Sequence, residues 1–272
     1  MPEREKEGIP AQYGDDHALI TSAAREAGRI AMGYFGGTIK SWEKSADEPV
    51  SEADIAINDF LLKALKMARP DYGWLSEESE NDDSRLNAHR TFVIDPIDGT
   101  RAFLRGTKEF AICIGLVENN RAVAGVVFNP ARDEFFEAIV GQGAKKNGAP
   151  CRTSTASRLE GANMLAYEAA FHHKIWSNSW PQMNISNRNS VAYRVALVAC
   201  GEFDATFSLT GKNDWDMAAA DIIASEAGAV VTTAHGEPYR YNEKFVRHAG
   251  LICAPSPLHQ AILEKVRAAG LP

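Results

Sequence analysis

Residues 91–100, TFVIDPIDGT, run an apolar strand straight into two carboxylates, Asp95 and Asp98, and then into a glycine and a threonine. No other stretch constrains the chain as tightly. The strand delivers Asp95 at its carboxyl end, Pro96 is predicted to stop strand pairing, and Gly99 permits a tight turn. Thr100 stands where a helix can begin, and the free amides of a helix start favour phosphate oxygens. Two hard oxygen ligands beside such amides suit Mg2+. Taken alone, the same residues also fit a solvated Asx turn. A calcium loop is disfavoured, because ligands at alternate positions are missing.

Three further acidic features recur along the chain. WLSEES places Glu77 and Glu78 after a short apolar stretch. NDWDMAAADIIASEAGA opens a helix with Asp214 and Asp216, its buried face being Met217, Ala220, Ile223 and Ala227. Asp214 is predicted to be its N-cap. Asp54 begins another helix, where capping explains it as well as chemistry does. The DxDGT pattern of haloacid-dehalogenase phosphatases differs, since its aspartates stand one residue closer.

Apolar spacing predicts a helix over 15–35, ended by Gly36 and Gly37, then a polar loop interrupted by Pro49, then a helix from Asp54 to about Arg69. YGWLSEES and RTFVIDP read as strands, the second ended by its proline. Antiparallel strands follow, with Asn119-Asn120 and Asn129-Pro130 as turns. After Cys151, strands and helices alternate, NSVAYRVALVACGEF and DWDMAAADIIASEAG being the clear helices and LICAPSP a late strand before a final helix. These elements predict an α+β chain of layered sheets and helices. We divide it into an N-terminal lobe, 1–148, with most metal ligands, and a C-terminal lobe, 149–272, with Asp216 and the substrate contacts.

A net charge of -7 argues against a nucleic-acid binder, which normally carries a basic face. The four cysteines have no ligand spacing and are expected to be buried, reduced thiols. MPEREKEGIP is too polar for a signal peptide, and no apolar run nears the ~18 residues of a membrane helix. A cytoplasmic protein is expected.

Together, PVSEAD, SEES, DPIDGT and DWDMAA…EAG resemble the inositol monophosphatase family across nearly the whole chain. The resemblance implies a layered α-β-α-β-α sandwich, a homodimer, and a lithium-sensitive phosphomonoesterase using two or three Mg2+ ions. Glu77, Asp95 and the carbonyl of Ile97 are similar to the ligands of a first metal; Asp95, Asp98 and Asp216 to those of a second. Glu77 would also serve a weaker third ion and the chemistry. Thr100 and Asp54 resemble the pair that activates the attacking water. The amides of Gly99 and Thr100 would hold phosphate, and Lys44 resembles a loop lysine of the family, in a loop one residue shorter. Ser190, Arg194 and Lys212 fall on the substrate side. Such carboxylates repel one another without metal, so the site should need the ions for order as well as chemistry.

The chain departs from the animal-type enzymes before its "WD". They carry a glutamate that contacts inositol; FSLTGKNDWD offers Ser208 and Leu209 there, no acid until Asp214, and one extra residue. Arg101, after DGT, is similar to the histidinol-phosphate phosphatase branch. AYRVALVACGEFDA with DWD resembles the branch acting on 3'-phosphoadenosine 5'-phosphate, where Arg194 and Lys212 would meet a second anionic group. Their bland reading is an exposed helix arginine and a loop lysine. His172 and His173 read as surface-loop residues, and Trp176 and Trp180 as lid or core packing. A mainly regulatory role, as in some bacterial relatives that act with the transcription machinery, would be favoured by loss of a ligand; none is lost. The expected substrate is a small phosphate monoester such as inositol 1-phosphate.

Overall fold

The computed structural model describes residues 13–45, 48–172 and 174–270; His173 and the MPEREKEGIP stretch lie outside them. Helix α1 (Gly14–Tyr34) ends where predicted, with Gly36 at a φ of 79°. Strands β1 (Ser41–Ser45) and β2 (Glu48–Ser51) pair antiparallel where the sequence suggested a loop. β1 is exposed throughout, so no apolar alternation announced it. Pro49 is tolerated because a two-stranded ribbon leaves each strand a free edge.

Helix α2 (Glu52–Ala68) follows. Strands β3 (Gly73–Ser76) and β4 (Arg90–Asp98) lead into a short helix, α3 (Thr100–Leu104). Then come β5 (Ala111–Glu118), β6 (Arg121–Asn129), β7 (Glu134–Ile139), β8 (Ala144–Lys146) and β9 (Ala149–Cys151). β3 to β9 form one sheet in chain order, with β3 parallel to β4 and the other pairs antiparallel. Asn119 and Asn120 take φ of 50° and 60° in the turn between β5 and β6, as a tight hairpin demands. Pro96 does not end β4. The register shifts between Asp95 and Asp98, and pairing resumes at Asp98 opposite Ala111. An irregularity of this kind absorbs a proline and re-aims its neighbours.

The remaining elements are β10 (Asn163–Leu165), β11 (Asn184–Ser186), α4 (Val191–Ala199), β12 (Ala205–Ser208), β13 (Lys212–Asn213) and α5 (Asp214–Glu226). They end with β14 (Val230–Thr232), β15 (Arg247–His248), β16 (Leu251–Ala254) and α6 (Ser256–Ala268). A second sheet has the order β11-β10-β12-β16-β14, and β13 pairs with β15.

Burial sorts these elements into five layers. Ile20 and Ala27 of α1 and Leu61 of α2 pack on Phe92, Ile94 and Ile114 of the first sheet. Tyr193 and Leu197 of α4 and Met217 and Ile223 of α5 lie in one core with Val93 and Val127 of the first sheet and Leu251 and Cys253 of the second. Leu258 and Ile262 of α6 cover the outer face at Met164 and Ile252. The architecture is a layered α+β, α-β-α-β-α. β4 and β5 are buried along their whole length because helices cover both faces.

Helix α5 rests directly on the first sheet. A Cβ at Gly125 would fall 2.6 Å from the Ala219 carbonyl oxygen, and one at Gly115 would fall 2.9 Å from the Ala218 Cβ. The glycines and the alanine run are two sides of one close approach, and they fix where α5 begins.

The reduced-thiol expectation holds for Cys113 and Cys253, which are buried and free. It fails for Cys151 and Cys200, joined as a disulfide with Cα atoms 4.6 Å apart. Cys151 ends β9 and Cys200 caps α4, so packing of the sheet edge against that helix brings together residues 49 apart in the chain. Among the described residues no helix is long and apolar enough to cross a membrane.

Candidate active site

Parallel β3 and β4 end side by side, with Ser76 opposite Ile94. The Glu77 amide donates to the Ile94 carbonyl at 3.2 Å, which sets Glu77 next to Asp95. The shifted turn after Asp95 supplies Asp98, and the start of α5 supplies Asp216. Carboxylate oxygens of these three aspartates lie within 4.8 Å of one another. Glu77 does not join that set; Lys44 Nζ, from β1, donates to it at 3.1 Å and to Glu78 at 2.6 Å.

Each aspartate is held by donors of its own. The Ile97 amide donates to Asp95 at 3.1 Å. The Ser190 hydroxyl and the Ala192 amide donate to one Asp98 oxygen at 2.5 and 2.6 Å. The Asn213 amide donates to Asp216 at 2.7 Å. Asn213, not Asp214, is therefore the residue that precedes α5 as its cap. Asp214 turns away to His248 Nε2 at 2.6 Å and the Asn242 amide at 2.7 Å.

Charge is costly here. Burial, then the negative charge of Glu77 and Asp98, pushes Asp95 well above the usual carboxylate range. Burial, then Asp98, raises Asp216 to about 7. Burial raises Asp98 even though Ser190 and Ala192 pull it down. Preoriented oxygens that resist ionisation together are a fitting donor set for a hard divalent cation, whose charge removes the conflict.

Asp54 uses its two oxygens differently. One accepts from the Ser51 amide at 2.8 Å and the Ser51 hydroxyl at 2.6 Å, closing the start of α2. The other lies 3.2 Å from the Thr100 hydroxyl, itself 3.0 Å from the Ile97 carbonyl. Capping and a link to the acid trio thus coexist in one carboxylate, which burial raises to about 6. Gly99, at a φ of 96°, begins α3, and a Cβ there would fall 2.8 Å from the Glu109 carbonyl oxygen. The turn requires glycine twice over.

Comparison with known proteins accounts for this constellation. The model of the inositol monophosphatase family matches residues 16–271. The chain belongs to the inositol monophosphatase family. It is 30% identical to the Nus factor SuhB of Haemophilus influenzae over 92% of this chain and 94% of that one. It is 32% identical to inositol monophosphatase 3 of Solanum lycopersicum over 81% and 87%. Among solved structures, the suhB extragenic suppressor protein of Bartonella henselae matches with a TM-score of 0.82 at 28% identity, covering 93% of this chain and 98% of that one. The Thermotoga maritima IMPase matches at 0.81 and 27%, covering 94% and 98%.

Within this inositol monophosphatase fold the residues expected on the substrate side separate. Ser190 is occupied by Asp98 and by the Tyr193 amide. Arg194 and Lys212 are not the exposed side chains of the bland reading: they are 2% and 7% exposed and face Asp98 and Asp216 electrostatically. Arg101 lies on the exposed side of α3. Trp176 and Trp180 pack with Phe171 and Phe207, as core residues do, and His172 is exposed. Tyr167 and Thr210, which contact the two cations, carry no motif and were not foreseen.

Proposed function

We propose that the protein is a Mg2+-dependent phosphomonoesterase that hydrolyses a small phosphate monoester, with inositol 1-phosphate as the reference substrate. The observation that carries this reading is the convergence of Asp95, Asp98 and Asp216 within 4.8 Å, beside the Thr100–Asp54 pair. Asp95, Asp98, Asp216, Glu77 and the Ile97 carbonyl would hold two ions, with Glu77 also serving a third. Bound ions neutralise the acids, polarise the phosphoryl group and make water easier to deprotonate.

The chain's own residues do the rest. Thr100, hydrogen-bonded to Asp54, orients the attacking water, and Asp54 takes up its proton from a position near neutral pH. The water oxygen bonds to phosphorus, the ester P–O bond breaks, and the leaving oxygen gains a proton. Gly99 and Thr100 amides hold the phosphate oxygens, and Lys44 balances Glu77 and Glu78 beside it. The family resemblance carries the homodimer and the cytoplasmic setting with it.

Relatives named Nus factor SuhB support a second reading, a regulatory interaction role. The complete acid set favours catalysis over it. The test is phosphate release from inositol 1-phosphate with Mg2+, with and without lithium. Mg2+-dependent, lithium-inhibited release supports the phosphatase; a metal-loaded protein inert on every phosphomonoester supports the regulatory role.

A further inference from the structure

The disulfide between Cys151 and Cys200 has surroundings that a purely structural cross-link does not need. In the cytoplasmic setting proposed above a standing disulfide is uncommon, and those that form there are mostly transient, catalytic or redox-sensing. Cys151 is only 7% exposed, yet it lines a cavity of about 330 Å³ together with Lys145, Arg152, Glu226 and Gly228. Both cations are exposed side chains. The Glu226 carboxylate is already held by the Gly141 and Gly143 amides, each at 2.8 Å. The cavity thus offers a way to Cys151 past two positive charges and one carboxylate whose oxygens are occupied.

The other half of the bond sits at a mechanically sensitive point. Cys200 caps the carboxyl end of α4, and the opposite end of that nine-residue helix gives Asp98 the Ser190 hydroxyl and the Ala192 amide. Beside Cys200 the packing has no slack. A Cβ at Gly201 would fall 2.9 Å from the Arg152 carbonyl oxygen and 3.4 Å from the Ser154 amide nitrogen. Two unbonded thiols need more room than a bonded pair, so reduction forces either the segment after β9 or the end of α4 to move. A short helix passes such a shift to its other end, where Asp98 is held.

We propose that Cys151–Cys200 is a thiol-exchange site for a low-molecular-weight thiol bearing carboxylates, and that its reduction loosens the hold of α4 on Asp98. The incoming thiolate sulfur bonds to Cys151 Sγ, the bond to Cys200 breaks, and Cys200 leaves with the electron pair and takes up a proton. A second thiolate then attacks the external sulfur of the mixed disulfide. Cys151 is released and protonated, and the two external thiols depart as their own disulfide. Two electrons pass from them to the protein, and their two protons end on Cys151 and Cys200. Lys145 and Arg152 draw an anionic thiol toward the bond; a cationic thiol is repelled by the same pair. The site stands independently of the phosphatase reading, and only its consequence passes through Asp98.

The test starts from protein prepared without reductant. A thiol count in denaturant should find two thiols, Cys113 and Cys253, and four after full reduction. At equal thiolate concentration, glutathione should reduce the native bond at least about threefold faster than cysteamine, and the double variant Lys145→Glu, Arg152→Glu should reverse that order. In Cys200→Ser, mass spectrometry after exposure to oxidised glutathione should find the adduct on Cys151. Calorimetry should find Mg2+ binding about tenfold weaker in the reduced wild type than in the oxidised one, and insensitive to reductant in Cys200→Ser. These readouts need no substrate, so a failed phosphatase assay leaves them intact, and the wild-type comparison stands if the variant does not fold. Four thiols before reduction, equal rates for the two reductants, or Mg2+ binding indifferent to reduction would overturn the proposal.

Discussion

The acid wall and the cation wall of the site are both buried, yet they are finished to different degrees. Asp95, Asp98 and Asp216 each receive at least one donor, from the Ile97, Ala192 and Asn213 amides and the Ser190 hydroxyl. Arg194 has two guanidinium nitrogens with none. The acids sit on β4 and α5, whose positions the main sheet fixes. Lys212 sits on a two-residue strand beside a loop. The difference is physical: the acid oxygens are fixed by donors within the fold, whereas two nitrogens of the buried guanidinium are left without acceptors.

Asp54→Asn strikes beside the acid trio, because it removes the proposed proton acceptor behind Thr100. Turnover should fall about 10²- to 10⁴-fold, while Mg2+ affinity measured by calorimetry changes little. Loss of both together would mean that Asp54 only organises the metals.

A buried ionisable group that belongs to neither wall calibrates what burial costs. His259 of α6 has Nε2 2.8 Å from the Thr232 hydroxyl and an unpartnered Nδ1. Burial, aided by Arg267, holds its pKa at about 4. The unfolded chain takes up this proton first, near pH 6.5. Stability should therefore be full above pH 6.5 and decline as pH falls toward 4, by on the order of 3 kcal/mol. Urea unfolding of wild type and His259→Gln at pH 7.5 and 4.5 reads it. A wild type that declines no more than the variant would refute the assignment.

Gly125→Ala asks whether α5 is as rigidly seated as the acid wall requires. The new methyl meets the Ala219 carbonyl, so overpacking should cost about 1–3 kcal/mol, together with weaker Mg2+ binding through Asp216. Unchanged melting and unchanged binding would show that the helix yields freely. The smallest effect belongs to Ser190→Ala. It removes the one side-chain hydroxyl that donates to Asp98 and should weaken Mg2+ binding about tenfold. If it altered substrate KM instead, Ser190 would belong to the recognition side.

Much of the acid wall was legible in the sequence because strand ends and helix starts position side chains by local rules. DPIDGT announced a strand, a glycine turn and a helix start, and all three are present. Pro96 was misread because the continued pairing of Asp98 with Ala111 depends on a neighbouring strand. Asp214 was taken for the cap because its neighbour Asn213 is equally suited, and only β15 reveals where Asp214 turns. The β1–β2 ribbon and the Cys151–Cys200 bond left no periodic trace, since one is polar and the other joins distant segments. Arg194 looked like a surface arginine because helical spacing cannot tell that α4 is enclosed by sheets on both sides.

The central claim is that the acid trio gathers metal to hydrolyse a phosphomonoester. Its most direct test is phosphate release by wild type and Asp95→Asn at saturating Mg2+, with folding of both checked by circular dichroism. The variant should keep the fold and lose at least about 10³-fold in turnover, several kcal/mol of transition-state stabilisation. Near-normal turnover by a folded Asp95→Asn protein would contradict it.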